Sequence, residues 1–133
     1  MQTSTPLLLA GAGPFGLALA AYLKHKKIEH THIGSSMDYW KSYMPKKMFL
    51  RSACDWHLDP FNEATILNYL DTLNLKPADV EPLSLDFYLT YTEWLQQQKG
   101  ISPLPAHITK IDQIEDRFSL SFDDGKSIMA NKV

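Results

Sequence analysis

Three glycines spaced as Gly11-x-Gly13-x-x-Gly16 stand in the stretch LLLAGAGPFGLALAAYLKHKK, residues 7–27, between an apolar run and a helix pattern rich in small residues. These residue types in this order suit a pyrophosphate. Gly11 lets the chain turn tightly after a strand, Gly13 removes a side chain so that the backbone can approach the phosphates, and Gly16 lets helix and strand pack closely. The unpaired N–H groups and the positive end of the helix would then face the anion. A glycine-rich turn alone is a weak signal. Here a strand precedes it, a helix follows and a second strand is in register, so dinucleotide binding is the stronger expectation and a purely structural turn the alternative.

One expected part is missing. About 20 residues beyond the first glycines, a site of this type offers Asp or Glu at the end of the second strand to hold the ribose hydroxyls. This chain has Ile33-Gly34-Ser35-Ser36 there. Either Ser35, Ser36 or the later Asp38 substitutes by hydrogen bonding, or the ribose is held less tightly. No Arg stands at this point, which disfavours NADP with its 2′-phosphate at this first site.

The elements that must position these residues follow from periodicity. Leu7–Ala10 is a continuous apolar run, as in a strand buried on both faces. Pro14 suits a helix first turn, and Phe15, Leu17, Leu19, Ala20 and Leu23 carry that helix to Lys26, with Lys24, Lys26 and Lys27 at its negative end. Glu29–Gly34 reads as the second strand, completing the first half of a βαβ unit. The stretch SSMDYWKSYMPKKMFLRSACDWHLDP has no clean period and reads as short helical turns and loop. With Asn62 as N-cap, Ile66, Leu67, Leu70 and Leu73 fall on one helix face. A further helix starts after Ser84, buries Phe87, Tyr91, Trp94 and Leu95, and stops at Gly100. The tail HITKIDQIEDRFSLSFDDGKSIMANKV reads as three short strands with a hairpin at Asp124-Gly125.

The bulk properties limit the class. A chain of 133 residues is one ordinary domain. A net charge of −2 with scattered basic residues implies neither nucleic acid nor an anionic membrane surface as partner. The N-terminus has neither a signal peptide's basic start nor a membrane-spanning run, and the single Cys54 cannot form an internal disulfide, so a reducing, cytoplasmic compartment is expected.

The segments GAGPFGLALAAYL, MDYWKSYMPKKMFLRS, DWHLDP and EPLSLDFYLTYTEWLQQQ together resemble the N-terminal part of FAD-dependent flavoprotein monooxygenases. That group includes flavin-containing, Baeyer–Villiger and lysine/ornithine N-hydroxylating enzymes. The resemblance implies an α/β, Rossmann-like FAD-binding fold of the glutathione-reductase type, with a parallel βαβ, a helical middle and a C-terminal β-meander. It also implies one FAD/NAD(P)-binding domain over residues 1–133, truncated before the NADPH-binding domain. By the same resemblance Gly11, Gly13, Pro14, Phe15 and Gly16 would line the FAD pyrophosphate. Gly34, Ser35 and Ser36 would lie at the ribose, Trp40 matches a tryptophan of the group, and Met48, Leu50, Arg51 and Ser52 would lie toward the flavin ring. Ile108 would edge the adenine. In a complete member NADPH reduces the flavin at a second glycine motif that this chain lacks, so independent turnover is not expected.

Other groups carry two readings each. Arg51 counters a phosphate or the flavin, or is an ordinary surface residue. Tyr39, Trp40 and Tyr43 stack on a cofactor or simply pack. Phe87, Tyr88, Tyr91 and Trp94 read as core before substrate contact. His30 and His32, on one side of a strand, read as structural before ligating. Cys54, Asp55, His57 and Asp59 lack a second ligand pair, so no metal is expected, and Cys54 lacks a base that would make it a nucleophile. Three functions stand side by side: an FAD-binding portion of a monooxygenase, an NAD-binding Rossmann module, and a non-catalytic protein that keeps the fold to bind a partner. An unpaired sheet edge at Val133 would favour a homodimer or a complementing chain.

Overall fold

The computed structural model describes residues 3–133. Strand β1 (Ser4–Ala10) runs into the glycine turn, helix α1 (Pro14–His25) returns over the sheet, and β2 (Thr31–Ile33) pairs parallel to β1, with Leu8 opposite Thr31 and Ala10 opposite Ile33. The short helices α2 (Asp38–Ser42), α3 (Ile66–Thr72) and α4 (Pro77–Val80) lie in the irregular middle, ahead of the long α5 (Leu85–Lys99). Strands β3 (Ile108–Ile114), β4 (Arg117–Phe122) and β5 (Ser127–Lys132) form an antiparallel meander. Its last strand adds parallel to β1, with Ser4 opposite Met129 and Leu7 opposite Lys132, giving a single mixed sheet in the order β2-β1-β5-β4-β3.

The uninterrupted apolar run of β1 is explained by its two covered faces. Leu9 packs with Leu17, Ala20, Leu70, Tyr91 and Leu95 in the helical cluster, whereas Leu8 packs with Ile33, Leu120, Phe122, Ile128 and Ala130 under the meander. Successive side chains of a strand point to opposite faces, so a strand between two cores must be apolar at both parities. β1 also begins earlier than its apolar run, at Ser4, because Ser4 and Thr5 find backbone partners in Met129 and Ala130. Such long-range pairing leaves no local signal.

Several expectations in the middle of the chain need correction. Asn62 is not an N-cap: it sits in a turn with φ 55°, and α3 is capped by Thr65. The Thr65 hydroxyl oxygen accepts from the Asn68 N–H while the Asn68 side chain accepts from the Thr65 N–H, a reciprocal pair that satisfies two otherwise orphaned donors. Only Ile66 and Leu70 of that helix are buried, and Leu67 and Leu73 are exposed, since seven residues present a single i, i+4 pair to the core. Helix α4, with Pro77 in its first turn and Asp79 accepting from the Lys76 N–H, had no separate sequence signal. β2 is three residues long, so His30 precedes it and shares no strand with His32. By contrast, α5 starts at the Ser84 cap and ends at Gly100 in the left-handed conformation, and it buries Tyr88, Tyr91 and Leu95 with Phe87 and Trp94 half-buried.

Candidate nucleotide cleft

The β1–α1 turn is held from beneath by backbone. The Gly11 N–H donates to the Ile33 carbonyl at 2.8 Å, and Gly11 adopts φ 112°, a conformation that side-chain-bearing residues rarely enter. A Cβ on Gly16 would stand 2.2 Å from the Gly11 carbonyl oxygen, so close helix–strand packing requires glycine there. Gly13 differs. It is the N-cap of α1 with ordinary extended φ and ψ, and a Cβ there would meet nothing within 4 Å. No side chain caps this helix, and its first turn holds no acidic residue. The N–H groups of the first turn have no partner within a helix, and Pro14 has no N–H, so those of Phe15 and Gly16 stay available for an anion. A cleft of about 360 Å³ lies at this end, lined by Leu9, Ala10, Gly13, Phe15 and Leu19, with the Phe15 ring almost fully exposed.

His32, on β2, fixes the same turn from the side. Its Nε2 lies 2.7 Å from the Gly11 carbonyl oxygen, and because a carbonyl only accepts, Nε2 carries the proton. Burial lowers the His32 pKa, against the raising effect of that hydrogen bond, so the imidazole is held neutral. The expectation of a structural histidine is met in a specific way, since His32 orients the carbonyl under which Gly16 packs.

At the end of β2, Gly34 occupies the position where a ribose-binding carboxylate is expected. Its φ is 144°, its N–H donates to the Leu104 carbonyl at 2.9 Å, and a Cβ there would come within 3.0 Å of the Ala12 nitrogen. The loop beyond folds back on the glycine turn, with the Met37 N–H donating to the Ala12 carbonyl at 2.8 Å. The Ser36 hydroxyl donates to Gln96 Oε1 at 2.6 Å, while Ser35 is exposed. Gly11, Gly13, Pro14, Phe15, Gly16 and Gly34 thus gather around one turn, and Ser35 follows Gly34 in the chain.

The remaining site candidates fall elsewhere. Trp40 is half-buried, its ring 5.2 Å from that of Tyr88, so it packs on α5, whereas Tyr39 and Tyr43 pair with each other on the surface. Met48 and Leu50 bond across to the segment before α5, with the Leu50 N–H donating to the Leu83 carbonyl at 2.7 Å and the Leu85 N–H to the Met48 carbonyl at 3.0 Å. This places Leu50, Arg51 and Ser52 along a second cleft of about 320 Å³ with Glu81 and Pro82. Ile108, the first residue of β3, packs beside the meander cluster.

The Cys54–Asp59 stretch resolves into structural roles. Cys54 is buried and its N–H donates to Glu81 Oε1 at 3.0 Å. Burial, with the Glu81 carboxylate beside it, pushes the thiol up to about 12, which makes it unreactive at neutral pH. Asp59 is an anchor that sequence reasoning missed. Its buried carboxylate accepts from the N–H groups of Phe61, Glu63 and Ala64 and pairs with the Lys99 ammonium at 3.0 Å. Burial raises the Asp59 pKa, but those donors and Lys99 together outweigh it and the net shift is downward. Beside it the Tyr91 hydroxyl donates to the Ala64 carbonyl at 2.8 Å. The signal available was an Asp followed by Pro60 in a turn, the residue type that binds its own following N–H groups.

No protein-family model and no curated protein matches the chain. Solved structures do. A flavin-containing monooxygenase from Stenotrophomonas maltophilia superposes with a TM-score of 0.77 at 16% identity, over 99% of this chain and 38% of that one. The bacillithiol disulfide reductase Bdr (YpdA) from Staphylococcus aureus gives 0.70 at 16% identity over 98% and 37%. The lysine monooxygenase NbtG from Nocardia farcinica gives 0.68 at 14% identity over 92% and 50%. The chain therefore has the Rossmann-like flavoprotein fold shared by these monooxygenases and reductases, and it spans about two fifths of the length of the first of them.

Proposed function

We propose that this chain is the FAD-binding portion of an NAD(P)H-dependent flavoprotein oxidoreductase of the monooxygenase type. One observation carries the proposal. At the N-terminus of α1 the structure withholds both a side chain, at Gly13, and a capping anion, while Gly16 is clamped against Gly11. Backbone N–H groups aimed at open space are the arrangement that a pyrophosphate fills.

In this proposal Gly11 and Gly16 shape the turn, and the N–H groups of Gly13, Phe15 and Gly16 meet the phosphates, with Phe15 and Pro14 as the apolar wall. Ser35 and Ser36 lie toward the ribose and Ile108 toward the adenine side. Met48, Leu50, Arg51 and Ser52 lie toward the flavin, where Arg51, exposed and in no ion pair among the described residues, supplies positive charge. Bound FAD would supply a two-electron redox centre, which no side chain can provide. Residues 1–133 then form one FAD/NAD(P)-binding domain, and since the sequence holds a single Gly-x-Gly-x-x-Gly, oxidation of NADPH is not expected of this chain alone. The compartment that fits is the cytoplasm. Among the described residues no helix is long and apolar enough to cross a membrane.

The test is the visible spectrum of the purified chain after incubation with excess FAD and removal of free ligand, with NADH titrated in parallel by calorimetry. Flavin absorption retained at about one per chain is the expected result. A folded chain that retains no FAD but binds NADH would replace the proposal with an NAD-binding module. A folded chain that binds neither would favour the non-catalytic, partner-binding alternative.

A further inference from the structure

We propose that the ribose end of this cleft is charge-free by construction, so that the site accepts adenosine nucleotides with and without a 2′-phosphate about equally. The inference rests on the nucleotide site proposed above and extends it to specificity. In sites of this architecture, selectivity for a free 2′-hydroxyl comes from an acidic residue at the end of the second strand, which binds the hydroxyl and repels a phosphate.

The backbone excludes an acid at that position. Gly34 stands at φ 144°, and a Cβ would press on the Ala12 nitrogen at 3.0 Å, the Ala12 Cβ at 3.2 Å and the Gly11 carbonyl carbon at 3.2 Å. All three belong to the glycine turn itself. An acidic side chain at residue 34 would therefore displace the pyrophosphate cradle. Of the four residues after Gly34 only Asp38 carries a charge, and its carboxylate is engaged within its own helix. Ser36 is engaged by Gln96, and Met37 is buried with its N–H on the Ala12 carbonyl. Asp38, the next carboxylate in the chain, lies in the first turn of α2 and accepts from the Ser42 hydroxyl at 3.3 Å. That leaves Ser35, exposed and with its hydroxyl in no hydrogen bond among the described residues, as the polar side chain at the tip of β2 open to a ribose. A hydroxyl donates to a phosphate as readily as it accepts from an alcohol. The missing arginine, which alone counts against a 2′-phosphate, is offset by the missing acid, so no charged group bonded to the tip of β2 separates the two ligands.

The probes are ADP-ribose and ADP-ribose 2′-phosphate, titrated into the chain by calorimetry and as competitors of bound FAD. The expected result is a ratio of dissociation constants within about threefold for the wild-type chain, rising to about tenfold or more against the 2′-phosphate in Ser35→Glu, where a carboxylate meets it at close range. Circular dichroism of the variant shows that it folds, as an exposed position allows. A wild-type ratio of tenfold or more in either direction overturns the inference while leaving the nucleotide site standing, since another group, Asp38 first, must then read the ribose. Unchanged selectivity in a folded Ser35→Glu also overturns it, because residue 35 would then lie away from the ribose. Binding of none of the three ligands to a folded chain instead removes the nucleotide site, and the inference with it.

Discussion

Two turns in this molecule leave backbone N–H groups at the start of a helix, and they differ in whether the chain itself supplies the acceptor. Ahead of α3, the N–H groups of Phe61, Glu63 and Ala64 converge on the chain's own Asp59 carboxylate, which Lys99 neutralises. Ahead of α1, the chain offers Gly13, no capping side chain and no acid in the first turn. The first arrangement is complete and serves stability, tying the loop to the C-terminal end of α5. The second is left without an internal acceptor, and a cleft opens on it. Unsatisfied donors at a helix end carry a free-energy cost, which a bound anion recovers.

The contrast can be broken most forcefully at the filled turn. Asp59→Ala leaves three N–H groups without an acceptor and a largely buried ammonium with Glu63 as its remaining partner, and should lower stability by about 3 kcal/mol in urea denaturation. Loss of under about 1 kcal/mol there would show that water replaces the carboxylate without penalty. Next in size is Gly16→Ala, whose new methyl overlaps the Gly11 carbonyl. It should cost about 1–3 kcal/mol and weaken nucleotide binding together with stability. Gly13→Ala separates the two properties. The site has room and ordinary backbone angles, so stability should change by about 1 kcal/mol or less while FAD affinity falls about tenfold. If Gly13→Ala destabilises the fold as much as Gly16→Ala, the open space at Gly13 has no functional meaning.

The two turns also differ in their response to acid. Asp59 has its pKa lowered in the folded chain, so the unfolded chain binds more protons. Its contribution is present above its ordinary value of 3.8 and is lost as pH falls through the lowered folded value. His32 is lowered as well. The unfolded chain then takes up its proton first, and stability should decline as pH drops below 6.5, reaching its floor below the folded value. Thermal melts between pH 5 and 8 on wild type and His32→Gln would read this smallest effect, as a fall in wild-type stability toward low pH that the variant lacks. A wild-type profile that matches that of His32→Gln would mean the imidazole is hydrated in the folded chain.

What the amino-acid order alone determined was local. The β1–glycine turn–α1 unit, the Ser84 and Gly100 limits of α5 and the three strands of the meander were legible, because apolar period, capping residues and glycine punctuation act within a few residues of where they stand. The α3 start was misplaced at Asn62 since Thr65 forms its cap with Asn68, and two plausible capping residues three apart differ only in backbone angle. Everything that depends on contact across the chain was decided by the tertiary structure. Asp59 became an anchor because Lys99 arrives from the end of α5, His32 became a clamp because Gly11 lies beside it across the sheet, and Gly34 was bound to be glycine by Ala12. The glycine motif marked the turn at which an anion is proposed to bind. Only the folded chain showed that no carboxylate can stand at residue 34, since that prohibition comes from steric contact between residues more than twenty positions apart and not from any residue's own preference.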